Sequence, residues 1–335
     1  MINSIQITEF LQNKFELPSP INVTLIRSYT NDVYKIVAGT KTYLLKVYGQ
    51  GWRTEEELLF EVDLLNFLKN KHVRIAAPVM GGDKKYVYFV PQDRLTILFE
   101  WAGGNKPVSP FNSIDRELLG KAIAKIHLTT DGFKSKYHRK ELGVDFLIKD
   151  PLNTILDNCE EKSQKAFFSN VAKNLSRYIE TFISKGLDFG IVHADATFDN
   201  IHMTKEREVI FYDFDSGGLG WRAIDLQGWA VFDSKNVSKQ EEFINGYRTI
   251  REISDDDVRA SSYLHVANEF WGIALDVNRR ISRQGIQAVK NYLITKETEM
   301  KNYMEYFSKA SLVGADIRQN NTNNNNKNPK YLRGH

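Results

Sequence analysis

Apolar residues change their spacing along this chain, and the changes divide it into successive regimes. Near the start, Ile7, Phe10, Leu11 and Phe15 recur at helical spacing and predict a short amphipathic helix over 4–15. Three β-prone runs follow at 21–27, 33–38 and 42–48, with Gly39-Thr40 as a tight turn between the last two, and they read as an antiparallel meander. Residues 55–68 are strongly helical, and 86–90 and 95–101 predict two further strands, the first preceded by the turn Gly81-Gly82-Asp83. After the breaker-rich Ala102-Gly-Gly-Asn-Lys-Pro107 the pattern turns mostly helical. Helices are predicted at 113–127, with Ser113 as N-cap, and at 161–185, 237–251, 255–280 and 284–309. Ser254-Asp-Asp-Asp257 announces the helix at 255 with a capping-box pattern. Between the helices, the short apolar runs after 190 and after 208 read as two strands.

This order of elements makes the fold class α+β, with an N-terminal lobe over 1–101, a linker at 102–106 and a C-terminal lobe over 107–318. The asparagine-rich segment 319–335 is low in complexity, has no apolar positions to bury and is expected to be a disordered tail. A chain of 335 residues has room for two lobes with their own cores. Its 45 basic and 42 acidic residues nearly cancel to a formal charge of +3, which argues against a dedicated nucleic-acid binder. With Cys159 alone no intrachain disulfide is available, and a buried small hydrophobe is the expected role. The amino terminus lacks the marks of a signal peptide, and no apolar run approaches the ~18 residues needed to span a bilayer, so a cytoplasmic protein without membrane contact is expected.

Chemistry concentrates between 191 and 215. Two apolar runs there lead into Asp195 and Asp213, the pattern of buried strands that deliver polar groups to an edge. Asn200 follows Asp195 at the spacing by which phosphoryl-transfer loops place a carboxylate at the acceptor hydroxyl and an amide at a metal. Asn200 and Asp213 offer the oxygen ligands that Mg²⁺ prefers. Asp215 points the same way as Asp213 in an extended segment and is either a further ligand or an outer group. Lys46, in an otherwise apolar strand, is the cation for nucleotide phosphates, the plainer alternative being an edge-strand lysine that reaches water. Glu61, one turn before Leu65 on the same helix, is its expected acid partner, with Glu57 as the competitor. The loop Ser28-Tyr-Thr-Asn-Asp32, where phosphates would be covered, has no glycine and leaves Ser28, Thr30 and backbone N–H groups to cap them.

Val192-His-Ala-Asp-Ala-Thr-Phe-Asp-Asn-Ile201 and Phe211-Tyr-Asp-Phe-Asp215 resemble the His-Gly-Asp-x-x-x-x-Asn loop and the metal-binding Asp segment of the aminoglycoside phosphotransferase and choline kinase-like family, a branch of the protein-kinase-like fold. Leu98-Phe-Glu-Trp-Ala-Gly-Gly104 is similar to that family's hinge, Leu119-Gly-Lys-Ala-Ile-Ala-Lys-Ile-His127 to the helix before its substrate lobe, and Asp225-Leu226 to an Asp-Leu that ties the catalytic segment together. The resemblance covers most of 20–310 by order of elements. It implies a two-lobed fold, an N-terminal antiparallel sheet with one main helix joined to a larger, mostly helical C-terminal lobe. It also implies transfer of the γ-phosphate of ATP (or GTP) to a hydroxyl of a small molecule, with Mg²⁺ as cofactor. Asp195 is then the base, Asn200 and Asp213 hold Mg²⁺, and Lys46 touches the α- and β-phosphates with Glu61 as ion-pair partner. Phe99, Glu100 and Trp101 line the adenine pocket, and His193 packs inward as scaffold. Ala194 stands where the family has Gly, or a protein kinase its Arg, so no Arg-based activation switch is expected.

Three alternatives remain at this level. His193, Asp195, His202 and Asp213 admit a metal-dependent hydrolase. A non-catalytic nucleotide-binding module is a second, and a protein Ser/Thr acceptor a third; against the last, only Ser216-Gly-Gly-Leu-Gly220 separates Asp215 from Trp221. The expected partners are a nucleotide and a small hydroxyl-bearing substrate such as an amino alcohol, an aminoglycoside or a sugar. Its walls would come from Asp225, Trp229, Tyr263, Glu269, Trp271 and Asp276, each of which taken singly reads as ordinary core or surface.

Overall fold

The computed structural model describes residues 2–227 and 237–325. Asn3 and Gln6 cap each other's backbone and start α1 (Ser4–Phe15), which buries Ile7 and Leu11. β1 (Ile21–Ser28), β2 (Asp32–Ala38) and β3 (Lys41–Val47) form the meander, and the turn into β3 uses Gly39 at φ +58°. α2 (Glu55–Asn70) opens on a capping box of Thr54 and Glu57. β4 (Val87–Val90) and β5 (Arg94–Glu100) complete a five-stranded antiparallel sheet in the order β1-β2-β3-β5-β4.

β3 is therefore a central strand, which disposes of the edge-lysine reading of Lys46. Period-two alternation sends Leu45 and Val47 into a core with Ile7 and Leu11 of α1, and turns Leu44 and Lys46 to the opposite face, where a cleft opens. On that second face Ile97 and Phe99 pack with Leu58, Leu65 and Leu68 of α2, in a core that continues into the helical lobe.

α3 (Ser113–Thr129) is capped one residue earlier than expected. Asn112, not Ser113, accepts from the Asp115 amide, because Asp115 returns the bond to the Asn112 N–H and the pair closes a capping box. α4 (Asp150–Asn158) is too short to stand out by periodicity; α5 (Lys162–Ile183) matches its expected span. Four short strands then form two antiparallel pairs: β6 (Phe189–Val192) with β9 (Gly218–Trp221), and β7 (Ile201–Met203) with β8 (Val209–Phe211). α6 (Val237–Arg248), α7 (Asp255–Gln284) and α8 (Ile286–Asn325) follow, α7 capped by the Ser254 side chain on the Asp257 N–H. The segment set apart as an asparagine-rich tail is thus helical as far as Asn325, where α8 ends; 326–335 lie outside the described residues. No helix among the described residues is long and apolar enough to cross a membrane. Cys159 is buried, and burial pushes its thiol up to about 11.

α3 and α6 cross at two glycines. A Cβ on Gly120 would lie 2.1 Å from the Phe243 carbonyl oxygen, and one on Gly246 would lie 2.1 Å from the Glu117 carbonyl oxygen. Backbone cannot yield as a side chain does, so Gly120→Ala is expected to separate the helices. Its cost should be at the upper end of the ~1–3 kcal/mol typical of overpacking, read as a lower midpoint in chemical denaturation.

Candidate active site

β6 leads into the loop that carries His193, Asp195 and Asn200. His193 is buried and uses both ring nitrogens: Nε2–H donates to the Tyr212 carbonyl (3.1 Å) and Nδ1 accepts from the Asp195 N–H (3.3 Å). The ring thereby ties the residue before Asp213 to the backbone of Asp195, and burial keeps it below its ordinary pKa and neutral. Ala194 adopts φ +62°, a left-handed conformation that costs an alanine about 1–2 kcal/mol. Asp225 over-determines that turn. Its carboxylate accepts the N–H groups of His193 (2.7 Å) and Ala194 (2.7 Å) and contacts Nε2 of His127 (3.0 Å). Burial holds His127 below its ordinary value, so this contact is a neutral imidazole N–H donating to a carboxylate, while Tyr247 donates to Nδ1 (2.8 Å). Asp225 is only 2% exposed and so cannot be an acceptor wall. Asp225→Ala should strand these donors and cost about 3–5 kcal/mol, measured by denaturant unfolding. Ala194→Gly should stabilise by roughly 1 kcal/mol in the same assay.

Asn200, held by the single 3-10 turn Phe198–Asn200, donates Nδ2 to Asp195 Oδ2 (2.6 Å) and to the Asp195 carbonyl (2.9 Å). Asp195 is exposed, yet desolvation by the protein packed around its carboxyl, and next the nearby Asp213 charge, push it up to about 7. Asp213 follows β8 at φ +66°, with Oδ1 2.5 Å from Lys46 Nζ and Oδ2 2.8 Å from Arg27. Burial opposes its charge, but these cations hold its pKa below the ordinary value. The two bonds to Asp195 use the Asn200 amide nitrogen and leave the amide oxygen for a cation, and Asp213 adds an ionised carboxylate. This pair of hard oxygen donors fits Mg²⁺, which takes few protein ligands and completes its shell with phosphate and water. Among the described residues no group of three or more His, Cys, Asp or Glu side chains is placed to hold a metal, so the hydrolase reading has no ligand cluster there.

The expected Lys46–Glu61 pair is not a direct contact, although each charge still favours the ionised form of the other. Lys46 lies between Asp213 (2.5 Å) and Asp215 (3.1 Å), while Glu61 pairs with Arg139 (3.0 Å), both side chains being 1% exposed. Two carboxylates on one short segment offer the compact ammonium more charge than one, and the Arg139 guanidinium fills the place at Glu61 with further donors to the Phe214 and Gly217 carbonyls. Glu57, the competitor, caps α2 and meets Arg53 instead (3.4 Å). Asp215 collects Asn31 (2.7 Å), Trp52 Nε1 (2.9 Å) and Arg53 (3.3 Å), so it fastens the segments before α2 to the catalytic lobe. Burial opposes its ionisation, yet Lys46 and Arg53 keep it well below the ordinary carboxylate range.

Above these groups lies a cavity of about 280 Å³ with an apolar outer part, including Val33, Leu44, Ala76 and Phe99, and a charged inner end at Lys46 and Asp213. Phe99, Glu100 and Trp101 all line it. Ser28 and Thr30 do not: the Ser28 hydroxyl donates to Asp32 (2.6 Å). The lining residues Arg27 and Tyr212 carry no expectation from the sequence, and His202, a candidate metal ligand there, lines the cavity instead; only the adjacent apolar pair Leu25-Ile26, which breaks the alternation of β1, hints at Arg27. Of the expected acceptor walls, Trp271 packs near Trp52 (6.1 Å between ring centroids) and Phe146 (5.6 Å), and Asp276 meets Tyr29 and Arg279. Tyr263 stacks on Phe307 (4.2 Å), away in the helical core, Glu269 stands 4.0 Å from Lys296, and Trp229 lies outside the described residues.

An uncharacterized protein of Synechocystis sp. is 26% identical over 280 residues, covering 81% of this chain and 77% of that protein. Among solved structures, a microcompartment-associated aminopropanol kinase superposes with a TM-score of 0.74 at 21% identity, over 90% of this chain and 98% of the other. An amicoumacin kinase in complex with AMP-PNP, Ca²⁺ and Ami gives 0.71 at 20% identity, over 89% and 94%. These likenesses establish a kinase-like α+β fold with an N-terminal antiparallel sheet and a larger helical part. Residues 22–257, which hold the cleft, the catalytic loop and the Asp213 segment, match the phosphotransferase enzyme family, and the chain belongs to it.

Proposed function

We propose that this chain moves the γ-phosphate of ATP (or GTP) to a hydroxyl of a small molecule, an amino alcohol, aminoglycoside or sugar-like acceptor. The observation that carries the reading is the hydrogen bond of Asn200 to Asp195, with the Asp213 charge near Asp195 and Asp213 joined to Lys46 at the inner end of an apolar cavity. Adenine fits between Leu44 and the Phe99–Trp101 segment, with the lobes 1–101 and 107–318 on either side of the 102–106 linker. The acceptor hydroxyl hydrogen-bonds to Asp195, which takes its proton as the oxygen attacks the γ-phosphorus in line. The bond from that phosphorus to the bridging oxygen breaks, and ADP carries away the electron pair. Lys46 neutralises phosphate charge, Asn200 orients Asp195, and Asp215 stays an outer group that holds the lobes together. Mg²⁺ on the Asn200 amide oxygen and Asp213 would supply charge neutralisation on the transferring phosphate.

Asp215 leads within a few residues into β9, which leaves little chain to bind a peptide and supports a small acceptor. The aminopropanol kinase neighbour supports an amine beside the hydroxyl. ADP release with a panel of aminoglycosides, choline, homoserine, amino alcohols and neutral sugars tests the reading. Turnover is expected with amine-bearing acceptors. Reaction with neutral acceptors alone would sink that acceptor class, and tight nucleotide binding without turnover on any acceptor would favour a non-catalytic module.

A further inference from the structure

A glycine-rich loop binds phosphates through backbone N–H groups that side chains do not shield. The β1–β2 turn has no glycine, and much of its polar equipment is engaged elsewhere. Ser28 donates to Asp32 (2.6 Å), the Tyr29 N–H to the Asn31 carbonyl (3.1 Å), and the Asn31 side chain to Asp215 (2.7 Å). None of residues 28–32 lines the cavity, whereas Arg27 does.

The strand itself explains why. The β1–β2 register slips between Leu25 and Arg27 and leaves Ile26 as a bulge. Bulges re-aim side chains, and here the consecutive residues Ile26 and Arg27 both face the cavity, where strict alternation would send only one. The turn is also fastened across the cleft. The Arg279 guanidinium of α7 stacks on the Tyr29 ring (3.1 Å to the centroid), Arg283 donates to the Tyr29 carbonyl (2.6 Å), and the Tyr29 hydroxyl reaches Asp276 (3.2 Å). Arg27 thus extends from a strand end held at both sides, with its guanidinium on the second oxygen of the carboxylate that Lys46 also meets. Its side chain is 54% exposed, so it can exchange that oxygen for another without leaving a buried charge unpaired.

We propose that Arg27 is the residue that recognises the phosphate chain of the nucleotide, its planar guanidinium taking the role that backbone amides play in a glycine-rich loop. The inference rests on the nucleotide reading above and adds a residue and a chemical reason to it. It competes with a simpler role, neutralisation of Asp213 alone. Both roles weaken binding of an anionic nucleotide when the charge is lost, and they differ at lysine: Arg27→Lys restores a neutraliser fully, whereas a guanidinium that forks onto phosphate is restored only in part, so full recovery in Arg27→Lys overturns the proposal.

Calorimetric titration of ATP, ADP and adenosine into wild type, Arg27→Ala and Arg27→Lys, with and without Mg²⁺, decides between them. In Arg27→Ala the Kd values of ATP and ADP are expected to rise about 10- to 100-fold, the range of a charge-assisted hydrogen bond. The Kd of adenosine should stay within about twofold, and Arg27→Lys should recover part of the loss, because the charge remains without the fork. An unchanged or tighter Kd for ATP in Arg27→Ala overturns the proposal, as does an equal loss for adenosine at an unchanged melting temperature. If wild type binds ATP no more tightly than adenosine, the nucleotide reading itself fails and takes this inference with it.

Discussion

Asp195→Ala is expected to lower kcat by about 10²–10⁴-fold, the range for loss of a general base, with the Kd for ATP nearly unchanged. The side chain receives the Asn200 amide at 2.6 Å and is not among the residues that line the apolar cavity, so its truncation leaves the adenine pocket intact. Truncation also releases Asn200, and a second variant separates the two losses. Asp195→Asn keeps an acceptor oxygen for the Asn200 amide but cannot take a proton. If proton transfer is the larger part, both variants fall together; if orientation of Asn200 is, the asparagine variant keeps most of the rate. Single-turnover phosphate transfer at saturating nucleotide reads the chemical step directly. Full activity in Asp195→Ala would falsify the base assignment.

Replacing Asp213 by Ala should abolish Mg²⁺-dependent turnover, and added Mg²⁺ should not restore it. Asp213 is the carboxylate of the proposed donor pair, and Asn200 alone offers one neutral oxygen. The fold should survive, because buried Lys46 retains Asp215 at 3.1 Å and half-exposed Arg27 reaches water. The expected signature is a loss of the Mg²⁺-dependent part of ATP affinity, with the Mg²⁺-free part kept. Persisting turnover at ordinary Mg²⁺ would remove Asp213 from the ligand set. A fall in both parts, together with a lower melting temperature, would mean that it serves structure first.

The fold is legible where periodicity is strong. The amphipathic helix at 4–15, the meander, the helix at 55–68 and the long helices after 237 each repeat apolar positions over several turns or alternations, and all are present. α4 was missed because its nine residues make too few turns, and the Asn112 cap because choosing between neighbouring residues depends on which oxygen reaches the Asp115 amide. The site was legible only in part. Asp195, Asn200 and Asp213 stand close in sequence, and their spacing carries the geometry. Arg27 lay hidden, since a bulge is a relation between strands, and only Leu25-Ile26 hints at it.

Charge pairing shows most plainly what sequence and tertiary structure each decided. Backbone geometry is local, so the chain alone determined that Lys46 shares a strand face with Leu44 and that Glu61 shares the buried side of α2 with Leu65. Which charge meets which is settled by distances between elements remote in sequence. Lys46 found a carboxylate 167 residues away and Glu61 an arginine 78 residues away, in place of each other. Asp225 likewise became the anchor of the Ala194 turn because β6 and the helical turn Arg222–Gln227 pack together and exclude water around it. Coulomb attraction falls with distance and strengthens as water is removed, so the partners of these buried charges were fixed only when the packed lobes set both.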